Sequence, residues 1–474
     1  MDVETFRRAA HDLVEWMARY RAGVASHPVR SPVAPGEIAA RVPPRAPAEG
    51  ERFERIVEDF ERVILPGMTH WQHPRFFAYF PSNASLPSVL AEMLTATMGA
   101  QCMSWATSPA ATELEQRMME WLADAFGLGP AFTGSIQDAA SVSTLVAVLT
   151  ARERASGFST NEDGLFGTAP FVVYCSEEAH SSIEKAVKVA GIGRRHLRKI
   201  PVDGDQAMRV DLLEEAIARD RDAGLRPLMI VAALGTTATT AVDPLDAVAD
   251  AAARHGLWLH VDAAYAGAAL LLPEHADLAR AAARADSVVV NAHKWLFTNF
   301  DCSLYFVRSP ADLVRTFELL PEYLKTSEGS PVVNYRDWSI GLGRRFRALK
   351  LWFVIRTYGL DGLRARLRAH MALAADFARR VEADPRFELT TRPRFNLVCF
   401  RFRPPGVTAA ERLDALNLAL LEALNAGGKV YLSHARVRGE VTLRLVAGQT
   451  DVTADDIALA WDEITHAASI LAPV

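Results

Sequence analysis

Ser287-Val288-Val289-Val290-Asn291-Ala292-His293-Lys294-Trp295-Leu296-Phe297 joins a β-branched apolar run to a lysine set between an imidazole and an indole. The first four residues read as a short buried strand, because a brief apolar run without alternation is the pattern of a strand covered on both faces. A lysine just beyond it is out of place. Only seven of the 52 lysines and arginines in this 474-residue chain are lysine, so its usual surface cation is arginine. A lysine withdrawn from water loses its proton readily and becomes a nucleophilic amine, the property needed to form a Schiff base with an aldehyde. The other reading lays the stem along apolar surface and lets the ammonium reach water. The neighbouring runs decide between them.

From about residue 132 to 307, short apolar runs at 171–175, 228–234, 257–261, 287–290 and 304–307 alternate with helical patterns. That alternation predicts an α/β unit, a largely parallel sheet with helices on both faces. In such sheets ligands sit beyond the carboxyl ends of the strands, so the residues just after each run are the candidates for chemistry. The run at 257–261 leads into Asp262-Ala263-Ala264-Tyr265-Ala266-Gly267, a carboxylate followed by small residues that permit close approach. A buried acid needs a cationic partner, and a pyridinium nitrogen would serve, since the carboxylate keeps it protonated and the ring becomes an electron sink. The alternative is an ordinary strand-end aspartate capping a loop.

His180 follows the run at 171–175, placed to stack on a flat ring or, more blandly, to serve as a structural histidine. Ala140 and Ser141 open a helical stretch with small side chains, so that backbone NH groups and a hydroxyl can reach a phosphate at the positive end of the helix dipole. The stretch lacks the spacing of a Walker loop or a G-x-G-x-x-G turn, which counts against ATP or NAD. Thr236 and Thr237 close the run at 228–234 and offer hydroxyls to the same edge. Phosphate cradle, stacking imidazole, acid for a ring nitrogen and Schiff-base lysine occur in the order expected of a pyridoxal phosphate (PLP) enzyme.

The rest of the chain frames this unit. Residues 3–25 and 51–65 read as amphipathic helices joined by a proline-rich connector, with no core of their own. The aromatic segment from Thr69 to Ser82 reads as a loop filled by rings or as a pocket wall for a flat apolar ligand, and His70 and His73 read as structural rather than metal-binding. Residues 87–98 and 108–126 read as helices, the second opened by a Ser108 cap and Pro109. A helix is expected at 344–358, followed by a small α+β region with strands near 387–391, 397–402, 429–433 and 441–445.

A net charge of -5 and a pI near 6.3 provide no basic field for nucleic acid or anionic membrane. Cys102, Cys175, Cys302 and Cys399 form no C-x-x-C pair, so neither a disulfide framework nor a metal site is indicated. The chain shows no signal-like start and no run approaching the length of a membrane span, and a cytoplasmic protein is expected.

HVDAAYAG (260–267), NAHKW (291–295), WLFTNFDCS (295–303), THWQHPRFFAYFP (69–81), SWATSPAATELE (104–115) and YRDWSIGLGRRFRALKLW (335–352) together resemble the group II PLP-dependent amino acid decarboxylases, nearest the aromatic L-amino acid decarboxylases. The similarity runs from the first helix to about Gly359. It implies the PLP-dependent transferase fold type I, with a mostly parallel seven-stranded sheet, and a homodimer with active sites at the subunit interface. The expected divisions are an N-terminal helical segment packing on the partner (1–85), a large PLP-binding domain (86–343) and a small C-terminal α+β domain (344–474).

By the same resemblance, Lys294 holds PLP as a Schiff base, Asp262 binds the pyridinium nitrogen and His180 stacks on the ring. Ala140, Ser141, Asn291 and His293 surround the phosphate, and Thr237 lies near the ring. Trp71, Tyr79, Phe80, Ser82 and Gly343 would contact the substrate, with Gln101 and Met103 reaching in from the other subunit. Tyr323 opens a segment, 320–331, whose composition reads as a mobile lid. In the family a tyrosine there returns a proton to the substrate α-carbon, and a phenylalanine marks relatives that form aldehydes.

The implied activity is decarboxylation of an aromatic L-amino acid. The slim Gly341-Leu342-Gly343 segment leans towards indole side chains, with phenylalanine, tyrosine and DOPA also open. The competing readings are an aldehyde-forming PLP enzyme, a catalytically silent PLP-fold scaffold and, more distantly, a nucleotide-binding oxidoreductase.

Overall fold

β1 (Thr133–Gln137), β2 (Phe171–Ser176), β3 (Leu197–Ile200), β4 (Arg226–Ala233), β5 (Trp258–Asp262), β6 (Ser287–Asn291) and β7 (Ser303–Val307) make one sheet. Their order is β1-β7-β6-β5-β4-β2-β3. β7 runs antiparallel to both β1 and β6, while β6, β5, β4, β2 and β3 pair in parallel. The computed structural model describes residues 1–319 and 332–472. Two compact units contain them: residues 82–369, which hold this sheet, and residues 1–81 together with 370–474.

Every residue of β2, β6 and β7 is buried, as their unbroken apolar sequences require. The helices Ala140–Ala155 and Ser182–Val189 cover part of the sheet, and Val146, Val148 and Ile183 share a core with Phe171, Val173, Met229 and Val231. β1 and β3 lie outside the apolar runs that announce the other strands. β1 is Thr-Gly-Ser-Ile-Gln, and its glycine answers to packing: a Cβ at Gly134 would stand 2.3 Å from the Tyr305 carbonyl oxygen and 2.5 Å from Met119 Cε.

In the other unit, β8 (Phe387–Leu389), β9 (Leu397–Phe402), β10 (Ser433–Val437) and β11 (Glu440–Val446) form an antiparallel sheet ordered β10-β11-β9-β8. The strand expected at 429–433 begins only at Ser433. The residues before it pair elsewhere: Phe77 N donates to Tyr431 O at 2.9 Å and Tyr431 N to Arg75 O at 3.2 Å. The aromatic segment thus joins the C-terminal core, where Phe77 packs with Phe400, Leu443 and Ile464. Alternating Val430 and Leu432 look like a strand in sequence, but the backbone of Tyr431 between them is taken by Arg75 and Phe77, and that of Leu432 by the Asn425 side chain, with Leu432 N donating to Oδ1 at 2.9 Å.

Two other expectations shift. The helix expected at 344–358 starts at Arg347 and continues to Ala383, interrupted at Gly359, whose φ of 64° lies outside helical space. Ser108 precedes the helix Pro109–Ala125 without capping it through its side chain; its hydroxyl donates instead to Gln101 O at 3.0 Å.

Candidate active site

The parallel strands end along one edge, and there the burial pattern changes. Behind that edge β2, β6 and β7 are closed to solvent and β5 up to Val261 with them; at it, Ser141, His180 and Thr237 are exposed and Ala140, Asp262 and Lys294 partly so. The buried central strands therefore open where the chemistry-bearing side chains collect.

Lys294 sits in the single helical turn Ala292–Trp295 that follows β6. Burial pulls its ammonium below the usual lysine range, and the charge of Asp262 partly restores it. The turn is held from both sides. Asn83 N donates to His293 O at 3.1 Å, Asn83 Nδ2 to Lys294 O at 2.6 Å, and Ser85 N to Phe297 O at 3.2 Å. Trp295, fully buried, stacks on Tyr265 at 5.3 Å and 16°. Gly267 lets the loop after β5 close onto β6, since a Cβ there would meet Val290 Cγ2 at 2.6 Å. The small residues after Asp262 are thus accounted for by packing.

Asp262 Oδ1 accepts from Ala264 N at 3.1 Å, an arrangement that points the carboxylate out of the strand end. His180 Nδ1 accepts from Ser182 N at 3.1 Å. That obligatory donor makes Nδ1 an acceptor and leaves the proton of the neutral ring on Nε2. Burial lowers the His180 pKa; Asp262 opposes the shift, and Lys294 and Lys185 reinforce it. Asp262, Lys294 and His180 thus feel one another's charge.

The phosphate candidates behave alike. The helix Ala140–Ala155 has no side chain capping its N-terminus and no acid in its first turn, so its first NH groups face outward with the positive end of the dipole. Asn291 Oδ1 is buried without a hydrogen-bond partner among the described residues, and turning the amide over would present its NH2 group there instead. His293 Nδ1 accepts from Cys302 N at 2.9 Å, and burial pushes its pKa down to about 3. A nucleophilic amine, a carboxylate, a flat exposed imidazole and an uncapped helix terminus fit the aldehyde, ring nitrogen, ring face and phosphate of PLP.

The other predicted residues fall into two groups. Gln101, Met103 and Gly343 lie together in the sheet unit. Gln101 Oε1 accepts from Arg344 N at 2.8 Å, Cys102 N donates to Arg344 O at 2.9 Å, and Arg336 N donates to Met103 O at 2.9 Å. A Cβ on Gly343 would stand 3.3 Å from Gln101 Nε2. Ser82, half-buried, begins the same unit. Trp71, Tyr79 and Phe80 belong to the other unit. There Trp71 stacks on Phe76 at 4.4 Å, Tyr79 Oη lies 3.3 Å from Tyr431 Oη, and the Arg444 guanidinium sits 5.4 Å over Phe80. Tyr79 holds a left-handed φ of 52° and is 52% exposed, so its ring is displayed rather than packed away. Tyr323 lies outside the described residues.

Sequence reasoning misses several parts of this site. Asn83 pins the lysine turn but stands in a Pro-Ser-Asn-Ala-Ser loop without a motif. Asp243, raised to about 6 by burial, accepts from Ala233 N at 2.7 Å and Met208 N at 2.8 Å and so fixes the loop that carries Thr237. Its one signal is an acid closing a run of small residues. Tyr431 and Arg444 join the aromatic group only through the fold.

The pyridoxal-dependent decarboxylase conserved domain matches residues 35–403. The chain is 43% identical to the aromatic-L-amino-acid decarboxylase of Sus scrofa, over 99% of this chain and 98% of that protein. It is 41% identical to the phenylacetaldehyde synthase of Arabidopsis thaliana, over 99% and 97% respectively. Among solved structures, an Oryza sativa TDC crystallised with PLP and tryptamine superposes with a TM-score of 0.96 at 36% identity, covering 99% of both chains.

Proposed function

Since this chain belongs to the pyridoxal-dependent decarboxylase family, uses PLP and has the fold of PLP decarboxylases, we propose that it converts an aromatic L-amino acid, with an indole side chain favoured, to the arylalkylamine and carbon dioxide. The observation that carries this reading is Lys294: a buried amine with a depressed pKa at the open edge of a closed sheet, with Asp262 and His180 acting on the same space.

PLP, when bound, supplies the electron sink that accepts the pair left as carbon dioxide departs. Lys294 presents an amine that is readily unprotonated and later takes part in releasing the product. Asp262 holds a proton on the ring nitrogen, and His180 offers a flat neutral face. Ser141, the NH groups of Ala140 and Ser141, Asn291 and His293 anchor the phosphate, with Thr237 beside the ring. Tyr323 gives a proton to the substrate α-carbon. The exposed rings of Trp71 and Tyr79, with Tyr431, support recognition of an aromatic side chain.

We read the assembly as a homodimer. The helix Leu86–Met98 exposes Leu86, Leu90, Met93, Leu94 and Met98, between 36% and 58% each. Spaced at three and four residues, they form one apolar stripe, which supports a second copy as its occupant. Gln101 and Met103 then line the partner's substrate pocket. The helix Val3–Gly23 buries no residue and exposes Phe6, in keeping with packing on that second copy. Four free, buried cysteines suit a cytoplasmic setting.

The 41% identity to an aldehyde synthase keeps a second outcome in view, in which oxygen is consumed and aldehyde, ammonia and hydrogen peroxide form. Tyr323 favours the amine. Purified protein with PLP and a panel of tryptophan, 5-hydroxytryptophan, phenylalanine, tyrosine, DOPA and glutamate tests this when carbon dioxide, amine and oxygen are followed together. One amine per carbon dioxide from an aromatic substrate is expected. Aldehyde with oxygen uptake would move the assignment to the synthase, and no product with PLP bound would favour the scaffold.

A further inference from the structure

One fully buried imidazole has no part in the chemistry above. His260 lies in β5 two residues before Asp262, so both side chains project from the same face of the strand. Its ring is 0% exposed. Nδ1 lies 2.8 Å from Ser287 Oγ, while Nε2 has no hydrogen-bond partner among the described residues. A buried ring nitrogen left unpaired is costly, and its retention calls for a compensating interaction.

The hydrogen-bond directions around Ser287 supply one. Ser287 faces His260 directly across the β5–β6 pair. Its hydroxyl accepts from Trp258 Nε1 at 2.9 Å, and an indole can only donate. The serine has one proton of its own to give, and Nδ1 is an acceptor within reach. When Nδ1 takes it, the imidazole must carry its proton on Nε2. Asp262 is the charge that acts on the ring, and with the Ser287 carbonyl it favours added proton density there; burial outweighs both and drops the His260 pKa to about 4. The ring is therefore neutral near pH 7, with an N–H dipole in the field of the carboxylate. Tyr305, whose buried hydroxyl also acts on Ser287, lies beside it with ring centroids 6.4 Å apart.

We propose that His260 is a positioning residue for Asp262: its Nε2–H, locked by the Trp258–Ser287 pair, stabilises the Asp262 carboxylate as the anion that faces the ring nitrogen of PLP. A neutral donor favours the anion without supplying a competing cation, so the charge of Asp262 remains available to the cofactor. This rests on the reading of Asp262 as the ring-nitrogen partner.

Three measurements test it. Histidine-selective 15N NMR of the protein without PLP should show one imidazole held as the Nε2-protonated tautomer down to about pH 5 and lost in His260→Phe, and Trp258→Phe should let that tautomer mix. An Nδ1-protonated ring would overturn the proposal. In PLP titrations followed by absorbance, His260→Phe should weaken cofactor binding about tenfold and shift the visible band, and His260→Gln, which restores a side-chain NH2 group, should recover most of both. Unchanged affinity and spectrum in His260→Phe would also overturn it. Should that variant fail to fold, Ser287→Ala removes only the hydroxyl and should reproduce a smaller shift of the same kind; no shift would count against the relay. Asp262→Asn separates the premise from the inference. If it leaves spectrum and affinity as in the wild type, the reading of Asp262 fails; if it alters them while His260→Phe does not, only the relay fails.

Discussion

Among the described residues of the sheet unit, two lysines are withdrawn from solvent, and they differ in what surrounds them. Lys350 is 0% exposed, with Nζ 3.0 Å from Glu92 Oε2 and 3.7 Å from Asp301 Oδ1. Asp301 is shared with Arg347 at 2.8 Å and Arg345 at 3.3 Å. Burial lowers the Lys350 pKa to about 8, opposed by Cys302 and Asp301. Lys294 is lowered by burial too, yet it keeps accessible surface and stands at the strand edge under the influence of Asp262. Depressed basicity is common to both. Access to a ligand, together with a carboxylate placed to serve that ligand as well, separates the reactive amine from the structural one.

The comparison breaks most sharply at Lys294. Lys294→Ala should lower turnover by at least three orders of magnitude, about 4 kcal/mol of barrier, and abolish the visible absorption of lysine-bound cofactor, with the melting temperature nearly kept. A variant that retained the band would transfer the Schiff base to another amine, and Lys350 would be the one to examine.

Lys350→Met should show the opposite profile. Removing the cation leaves Glu92 to Arg345 and Asp301 to Arg345 and Arg347, and taking one member out of such a buried network costs roughly 1–3 kcal/mol. Denaturant unfolding should register that loss, while turnover per folded molecule stays within a few-fold of the wild type. Loss of the cofactor band without loss of stability would erase the distinction drawn between the two lysines.

The smallest effect is one of pH. His293 titrates near 3 in the folded protein, below the ordinary histidine value of 6.5, so between these values the unfolded chain binds more protons. Stability supported by neutral His293 is therefore present above pH 6.5 and lost as the pH falls towards 3. For Lys350 the window lies between about 8 and 10.5, and there too the unfolded chain binds more protons, so stability rises as pH climbs through it. Unfolding curves across pH should show His293→Gln flattening the acid limb and Lys350→Met removing the alkaline rise. Crossed effects would show that the two titrations had been assigned to the wrong groups.

Local pattern carried much of this protein. The unbroken apolar runs of β2, β6 and β7 could be read because a strand buried on both faces needs no partner to reveal its character. The edge strand β1 could not, since Thr-Gly-Ser-Ile-Gln is suited to its place only by the close approach of Tyr305. The run at 429–432 looked like a sheet strand until Phe76 and Phe77 claimed its backbone.

The sequence alone determined that a rare lysine follows a buried strand, that an aspartate and a histidine end two others, and that a run of small residues opens a helix. Those are properties of residue type and short spacing, legible because burial and strand period act over a few residues. Tertiary structure decided that Asn83 clamps the lysine turn, that Asp243 shapes the threonine loop, that Gln101 is tied to Arg344, and that Ser287 and Trp258 set the proton of His260. Each depends on hydrogen bonds between residues distant in the chain, whose geometry exists only after the backbone has closed around them.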